Sequence, residues 1–181
     1  MNRILISAVI ALLALTACNS QAPEKRVHRI LTDRIQTLAI AESCTGGTIA
    51  ARFTAIPGAS AYFKYGAVAY CLDTKQHLLQ IDCDTIARYG AVSEQVVRMM
   101  AEGVRHAANA HYAIATTGIA GPTGGTPEYP VGSVWIAVSS PLRTTTRLLH
   151  LKGNRRRIIR QAGTAAIELL EEELIAAQPS R

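Results

Sequence analysis

Apolar and polar positions change period repeatedly along this chain, and each change predicts an element. Val27, Ile30, Leu31 and Ile35 recur at helical spacing and predict a first helix. Leu38-Ala39-Ile40-Ala41 is a short apolar run of strand type, and Ser43 to Gly47 follows as a turn. Thr48 to Ala55 predicts a helix that Pro57-Gly58 stops. Gly66 to Cys71 predicts a buried strand, and Asp73 is placed to cap a helix running through Leu79. Asp84 to Tyr89 is a second short helical piece. Ser93 opens a stronger helix: Gln95 lies in its first turn, and Val96, Val97, Met100, Val104 and Ala107 share its apolar face.

Tyr112 to Thr117 predicts another buried strand, followed by the glycine-rich stretch Gly118–Gly125. Ser133 to Ser139 and Thr144 to Leu151 are β-rich and separated by Pro141, which predicts neighbouring strands joined tightly. Asn154 is placed to cap a long last helix with Ile158, Ile159, Ala162, Ala166, Leu169 and Leu170 on its apolar face. Strands that alternate with amphipathic helices give an α/β fold class: a single three-layer α/β/α domain with a mixed, mainly parallel sheet. The 181 residues leave room for one ordinary domain.

The first residues follow another pattern. Arg3 precedes an unbroken apolar or small stretch, Ile4 to Leu15, too short to span a bilayer comfortably as a helix. Leu15-Thr16-Ala17-Cys18 resembles a bacterial lipobox, in which Cys18 would carry the lipid. The expected organisation is therefore a signal segment at 1–18, a polar tether at 19–26 and the folded domain at 27–181. That organisation implies a lipoprotein of the bacterial cell envelope, touching membrane only through the lipid on Cys18. A true start near Val27 would instead imply a cytoplasmic protein.

Composition narrows the function classes. A hydrophobic fraction of 49% with 18% charged residues excludes global disorder. The net charge of +6 suits an anionic small molecule. Nucleic acid is not expected, because aromatic residues make up 5% of the chain and no Arg or Lys run interleaves with stacking side chains. Cysteines at 18, 44, 71 and 83 fit no zinc spacing, so no metal is expected.

Four segments carry candidate chemistry. Glu42-Ser43-Cys44-Thr45-Gly46-Gly47 lies where a strand gives way to a helix. Ligands bind at the carboxyl ends of strands in open α/β sheets, and a helix start offers backbone N–H groups. A serine there can act as a nucleophile beside oxyanion donors, or Ser43 or Thr45 can serve only as a helix cap. Cys44 is a rival nucleophile without a nearby His, which favours a packing role. In the second segment, Lys75 follows a strand and can point into the same cleft, where desolvation would make it a base, with Tyr70 holding or relaying the proton. A solvated Lys75 and a core Tyr70 are the alternative. The third segment, Thr116 to Gly125, can cradle a phosphate or a flat ring through its backbone. It lacks both the GxxxxGK[ST] and the GxGxxG orders. The fourth gathers Lys152, Arg155, Arg156, Arg157 and Arg160 at a helix start, the electrostatically poor end for cations. Arg155 is the best candidate to meet an anion there, and the others read as a solvated basic face.

Together these segments resemble the CinA C-terminal domain family, which includes the stand-alone nicotinamide mononucleotide deamidases. The matching strings are AESCTGG (41–47), Gly66 through Lys75, GAVSEQV (90–96), TTGIAGPTGG (116–125), PVGSVWIAV (130–138) and GNRRRIIRQA (153–162). The resemblance implies hydrolysis of the carboxamide of nicotinamide mononucleotide to nicotinate mononucleotide and ammonia, without metal or cofactor. It puts the family's catalytic residues on Ser43, Tyr70 and Lys75. Substrate binding falls on Thr45, Gly46, Gly47, Thr117, Gly118, Gly121, Gly124 and Arg155. It also implies a homodimer. Three departures stand out. Cys71 and Leu72 replace small polar residues, which opens the question of hydrogen bonding near Lys75. Asn154 replaces an aspartate. Longer members carry a molybdopterin-binding-like domain, and nothing of that domain's activity is carried over. A lipid-anchored nucleotide-binding module of the same fold, without turnover, is the alternative reading.

Overall fold

The computed structural model describes residues 21–177. The signal segment and Cys18 lie outside the described residues. Five strands form one sheet: β1 (Leu38–Glu42), β2 (Phe63–Val68), β3 (Tyr112–Gly118), β4 (Ser133–Ser139) and β5 (Thr144–His150), in the order β2-β1-β3-β4-β5. β1 pairs with β2 and β3 in parallel, while β3–β4 and β4–β5 are antiparallel, so β4 alone runs against the other four. The helices are α1 (Pro23–Asp33), α2 (Thr48–Thr54), α3 (Leu72–Leu79), α4 (Cys83–Tyr89), α5 (Glu94–Ala107) and α6 (Arg155–Ala176).

Strand alternation sorts the core into two unlike halves. Leu38, Ile40, Tyr112, Ile114, Val134, Ile136 and Val138 face one way, into a cluster with α1, α2 and α6. Ala39, Ala41, Ala113, Ala115 and Ala137 face the other way, where Val96, Val97, Met100, Ala101 and Val104 of α5 cover them. A strand's side chains alternate between faces, so an alternating large–small pattern gives one thick and one thin layer. The alanine face lets α5 lie close to the sheet. At Gly103, in α5, an added Cβ would lie 2.4 Å from the Leu79 carbonyl oxygen, so α5 and the end of α3 meet through backbone. That contact fixes α3, the helix that carries Lys75.

Ser93 and Asn154 cap α5 and α6 as their spacing predicts, accepting from the N–H groups of Val96 and Arg157. Four expectations are corrected. The first helix starts at Pro23, inside the stretch read as a tether. Pro23 suits the first helical turn, Glu24 pairs with Arg52 of α2, and Arg26 pairs with Glu171 of α6 through two bonds of 2.6 Å. Such long-range ion pairs leave no mark on local composition. Ile35 lies beyond that helix with φ of 54° and is exposed. The second strand ends at Val68 and is a half-exposed edge, where a buried strand through Cys71 was expected. Its successor, α3, has Cys71 at the cap position, and Asp73 lies inside the first turn.

Candidate active site

β1 is the central parallel strand, with neighbours on both sides and helices leaving toward both faces. The carboxyl ends of β1, β2 and β3 therefore open a crevice at a topological switch point. Register aligns Glu42 with Val68 on one side and with Thr116 on the other, so the residues after all three meet at one edge. Ser43 is the first residue after β1, and its N–H donates to the Thr116 carbonyl at 3.0 Å.

The turn that carries Ser43 is held by buried polar groups. Glu42 is 1% exposed and its carboxylate accepts from the N–H groups of Gly47, Ile49 and Ala50 at 3.0, 3.2 and 2.8 Å. The opening amides of α2 are thereby occupied, contrary to the expectation that this helix start stays open to ligand. Among the described residues, the N–H groups of Cys44 and Thr45 donate to no acceptor on another residue, and both residues directly follow Ser43. Thr45 is buried, its hydroxyl 2.7 Å from that of Thr116, so it ties β1's turn to β3. Gly46 and Gly47 have φ of 63° and 93°, the left-handed region that this tight turn requires. Thr45, Gly46 and Gly47 build the turn and do not line the crevice.

Lys75 is 2% exposed, and its ammonium donates to Ser43 Oγ at 2.9 Å and to the Ala69 carbonyl at 2.8 Å. Burial pulls its pKa below the ordinary lysine value, because low dielectric disfavours the charged amine. The replacements at Cys71 and Leu72 leave this contact in place: both side chains are exposed, and Cys71 Sγ lies 3.0 Å from Thr74 Oγ1. Cys44 is buried in the core cluster, and burial pushes its thiol up to about 12, which leaves it protonated near neutrality.

Tyr70 is 55% exposed, and its hydroxyl accepts from Arg155 Nη2 at 2.5 Å. It therefore holds Arg155, and no hydrogen bond joins it to Lys75 or Ser43 among the described residues. Arg155 also donates to the Gly121 carbonyl at 2.8 Å, which fastens the glycine-rich loop to the start of α6. A crevice of about 410 Å³ brings Ser43, Tyr70, Lys75, Thr117, Gly118 and Arg155 together. Gly121 borders it through that carbonyl, and Gly124 lies outside its lining. Thr117 donates to the Ala91 carbonyl at 2.8 Å, which draws the loop before α5 to the rim. Two elements of the site had no sequence signal of their own. Glu42 read as part of the motif without a role, and the Ala69 carbonyl, as backbone, carries no side-chain signature.

An α/β domain with a buried Lys–Ser pair at its switch-point crevice is the class that fold and site define. The chain belongs to the CinA family: the model of the CinA C-terminal domain matches residues 20–174. It is 44% identical over 161 residues to a CinA-like protein of Syntrophus aciditrophicus, covering 88% of this chain and 38% of that one. It is 47% identical over 150 residues to a CinA-like protein of Anaeromyxobacter dehalogenans, covering 83% of this chain and 36% of that one. The chain thus spans well under half the length of these relatives. Among solved structures, the competence damage-inducible protein A of Klebsiella pneumoniae superposes with a TM-score of 0.83 at 35% identity, covering 86% of this chain and 97% of that one. A CinA superfamily protein of Escherichia coli superposes with a TM-score of 0.81 at 30% identity, covering 83% and 88%.

Proposed function

We propose that this domain hydrolyses the carboxamide of nicotinamide mononucleotide to nicotinate mononucleotide and ammonia, with Ser43 as nucleophile. The observation that carries the reading is the 2.9 Å contact between Ser43 Oγ and the buried Lys75 amine. A serine hydroxyl is a weak nucleophile and needs an adjacent base. Neutral Lys75 takes the Ser43 proton as Oγ bonds to the carboxamide carbon. The C–N bond then breaks, and ammonia leaves with that proton. Water, deprotonated by the same amine, attacks the ester and releases the carboxylate, restoring Ser43.

The N–H group of Cys44, which lines the crevice, is the donor available to the oxyanion. Preorganised donors of this kind are worth about 10²–10³ in rate each. Arg155 lines the same crevice as Lys75 and serves the substrate's phosphate, with Tyr70 as the residue that positions its guanidinium. Thr117 and Gly118 bound the space for the pyridine ring.

The full chain incubated with nicotinamide mononucleotide should release ammonia and nicotinate mononucleotide in equal amounts. Folded protein that binds the nucleotide and releases no ammonia would overturn the reading and leave a nucleotide-binding module.

A further inference from the structure

The basic run that opens α6 divides between two clefts. Arg155 turns to the Ser43 crevice. Arg156, Arg157 and Arg160 line a separate cleft of about 640 Å³ with Thr48, Arg52 and Ile159, and the two clefts share no lining residue. The second cleft lies where α2 and α6 pack together. Gly163 lines it, and a Cβ there would lie 3.3 Å from Ile49 Cγ1 and 3.8 Å from Arg52 Nη1, so the two helices approach closely at this point. Thr48 and Arg52 are four residues apart on α2, as are Arg156 and Arg160 on α6, so each pair forms one wall. Ile159 supplies an apolar surface between them.

The charges in this cleft are unequal in their compensation. Arg52 is answered by Glu24 and Thr164. Among the described residues, no carboxylate pairs with Arg156, Arg157 or Arg160. Asn154 takes the N–H groups of Arg157 and Ile158, the first through its side chain and the second through its carbonyl. Three uncompensated guanidinium groups therefore crowd one concave surface at the helix end that disfavours cations. The volume lies within the range of small-molecule sites, about 300–1,000 Å³. Guanidinium forks match phosphoryl oxygens in geometry as well as charge.

We propose that this cleft is a second binding site, for a multiply charged phosphoryl group held by Arg156, Arg157 and Arg160. It is independent of the Ser43 reaction. Two sources share that chemistry: a soluble phosphoester, and the headgroup of an anionic lipid. The second has a geometric basis, because Glu24, on the cleft wall's Arg52, is three residues from Gln21, where residues 1–20 join the domain.

The test titrates the full chain with inorganic pyrophosphate, and in parallel floats it with phosphatidylcholine vesicles that contain or lack phosphatidylglycerol. Three variants accompany the wild type: Arg156→Gln with Arg160→Gln, the charge-matched control Lys64→Gln with Arg88→Gln, and Arg155→Gln. Expected is pyrophosphate binding that the first pair weakens by about tenfold or more, that salt weakens, and that the control pair Lys64→Gln with Arg88→Gln leaves within about twofold. The same dependence in phosphatidylglycerol flotation, without pyrophosphate binding, assigns the site to a lipid headgroup and supports the proposal. Absence of both kinds of binding would overturn it. So would equal loss in the control pair, which marks general surface charge, or loss confined to Arg155→Gln, which marks the Ser43 crevice.

Discussion

Burying Lys75 with two oxygen acceptors and no carboxylate raises the free energy of its charged form. The folded pKa is lowered, so the unfolded chain binds this proton more tightly than the folded one. Stability from this group therefore rises with pH between the lowered folded value and the ordinary 10.5. In the proposed reaction the neutral amine is the base, so kcat/KM should follow the same sign and climb as pH rises through the lowered pKa. Replacing Lys75 with Met separates the two effects. Turnover should fall by about 10²–10⁴-fold, the usual share of a general base, while the neutral-pH Tm holds or rises because the buried charge is gone. A Tm lowered by several degrees would mean that the amine's two hydrogen bonds outweigh its desolvation. Sequence pointed to Lys75 through its place after a strand, but its burial comes with the packing of α3 on α5 and the contact to Ser43, 32 residues away, which no local pattern encodes. The place of Tyr70 in the crevice was legible, and its bond to Arg155 was not. Its partner, Arg155, is 85 residues away, and nothing near Tyr70 announces that bond.

At the scale of elements, the reactive geometry depends on two short connections: β1 into α2, and β2 into α3. The first is self-contained, because Glu42 satisfies the α2 amides from within the same motif. The second is braced from outside, where α5 meets the end of α3 at Gly103. Gly103→Ala would place a methyl 2.4 Å from the Leu79 carbonyl and force the helices apart. Overpacking of this kind costs about 1–3 kcal/mol, and here it should also move Lys75 off Ser43. Urea denaturation should show the lower stability, and turnover should fall by more than that stability loss explains. An alanine variant with unchanged activity would show that α3 is held elsewhere. Periodicity made α5 and α6 plain, and both of their caps stood where Ser93 and Asn154 predicted. It misplaced the start of α1 and the end of β2. In α1 the deciding contacts are ion pairs to α2 and α6, and β2 is an edge strand whose half-exposed residues resemble a buried run when read alone.

For the molecule as a whole, the sheet's mixed order places the switch point at β1, and five of the six matching strings supply residues to the crevice there although those residues span 43 to 155 in sequence. The resemblance to the family was legible because six short strings recur in order. The division of positive charge was not. A run of cations reads as one patch in sequence, and only the direction of each side chain around α6 assigns Arg155 to one cleft and its neighbours to another. In the proposed reaction Ser43 forms the bond to the substrate's carboxamide carbon. The measurement is ammonia release from nicotinamide mononucleotide by the wild type beside a folded Ser43→Ala variant. Expected is release by the wild type and a rate lower by about 10³-fold or more in the variant. A Ser43→Ala protein that keeps a tenth or more of the wild-type rate would contradict it.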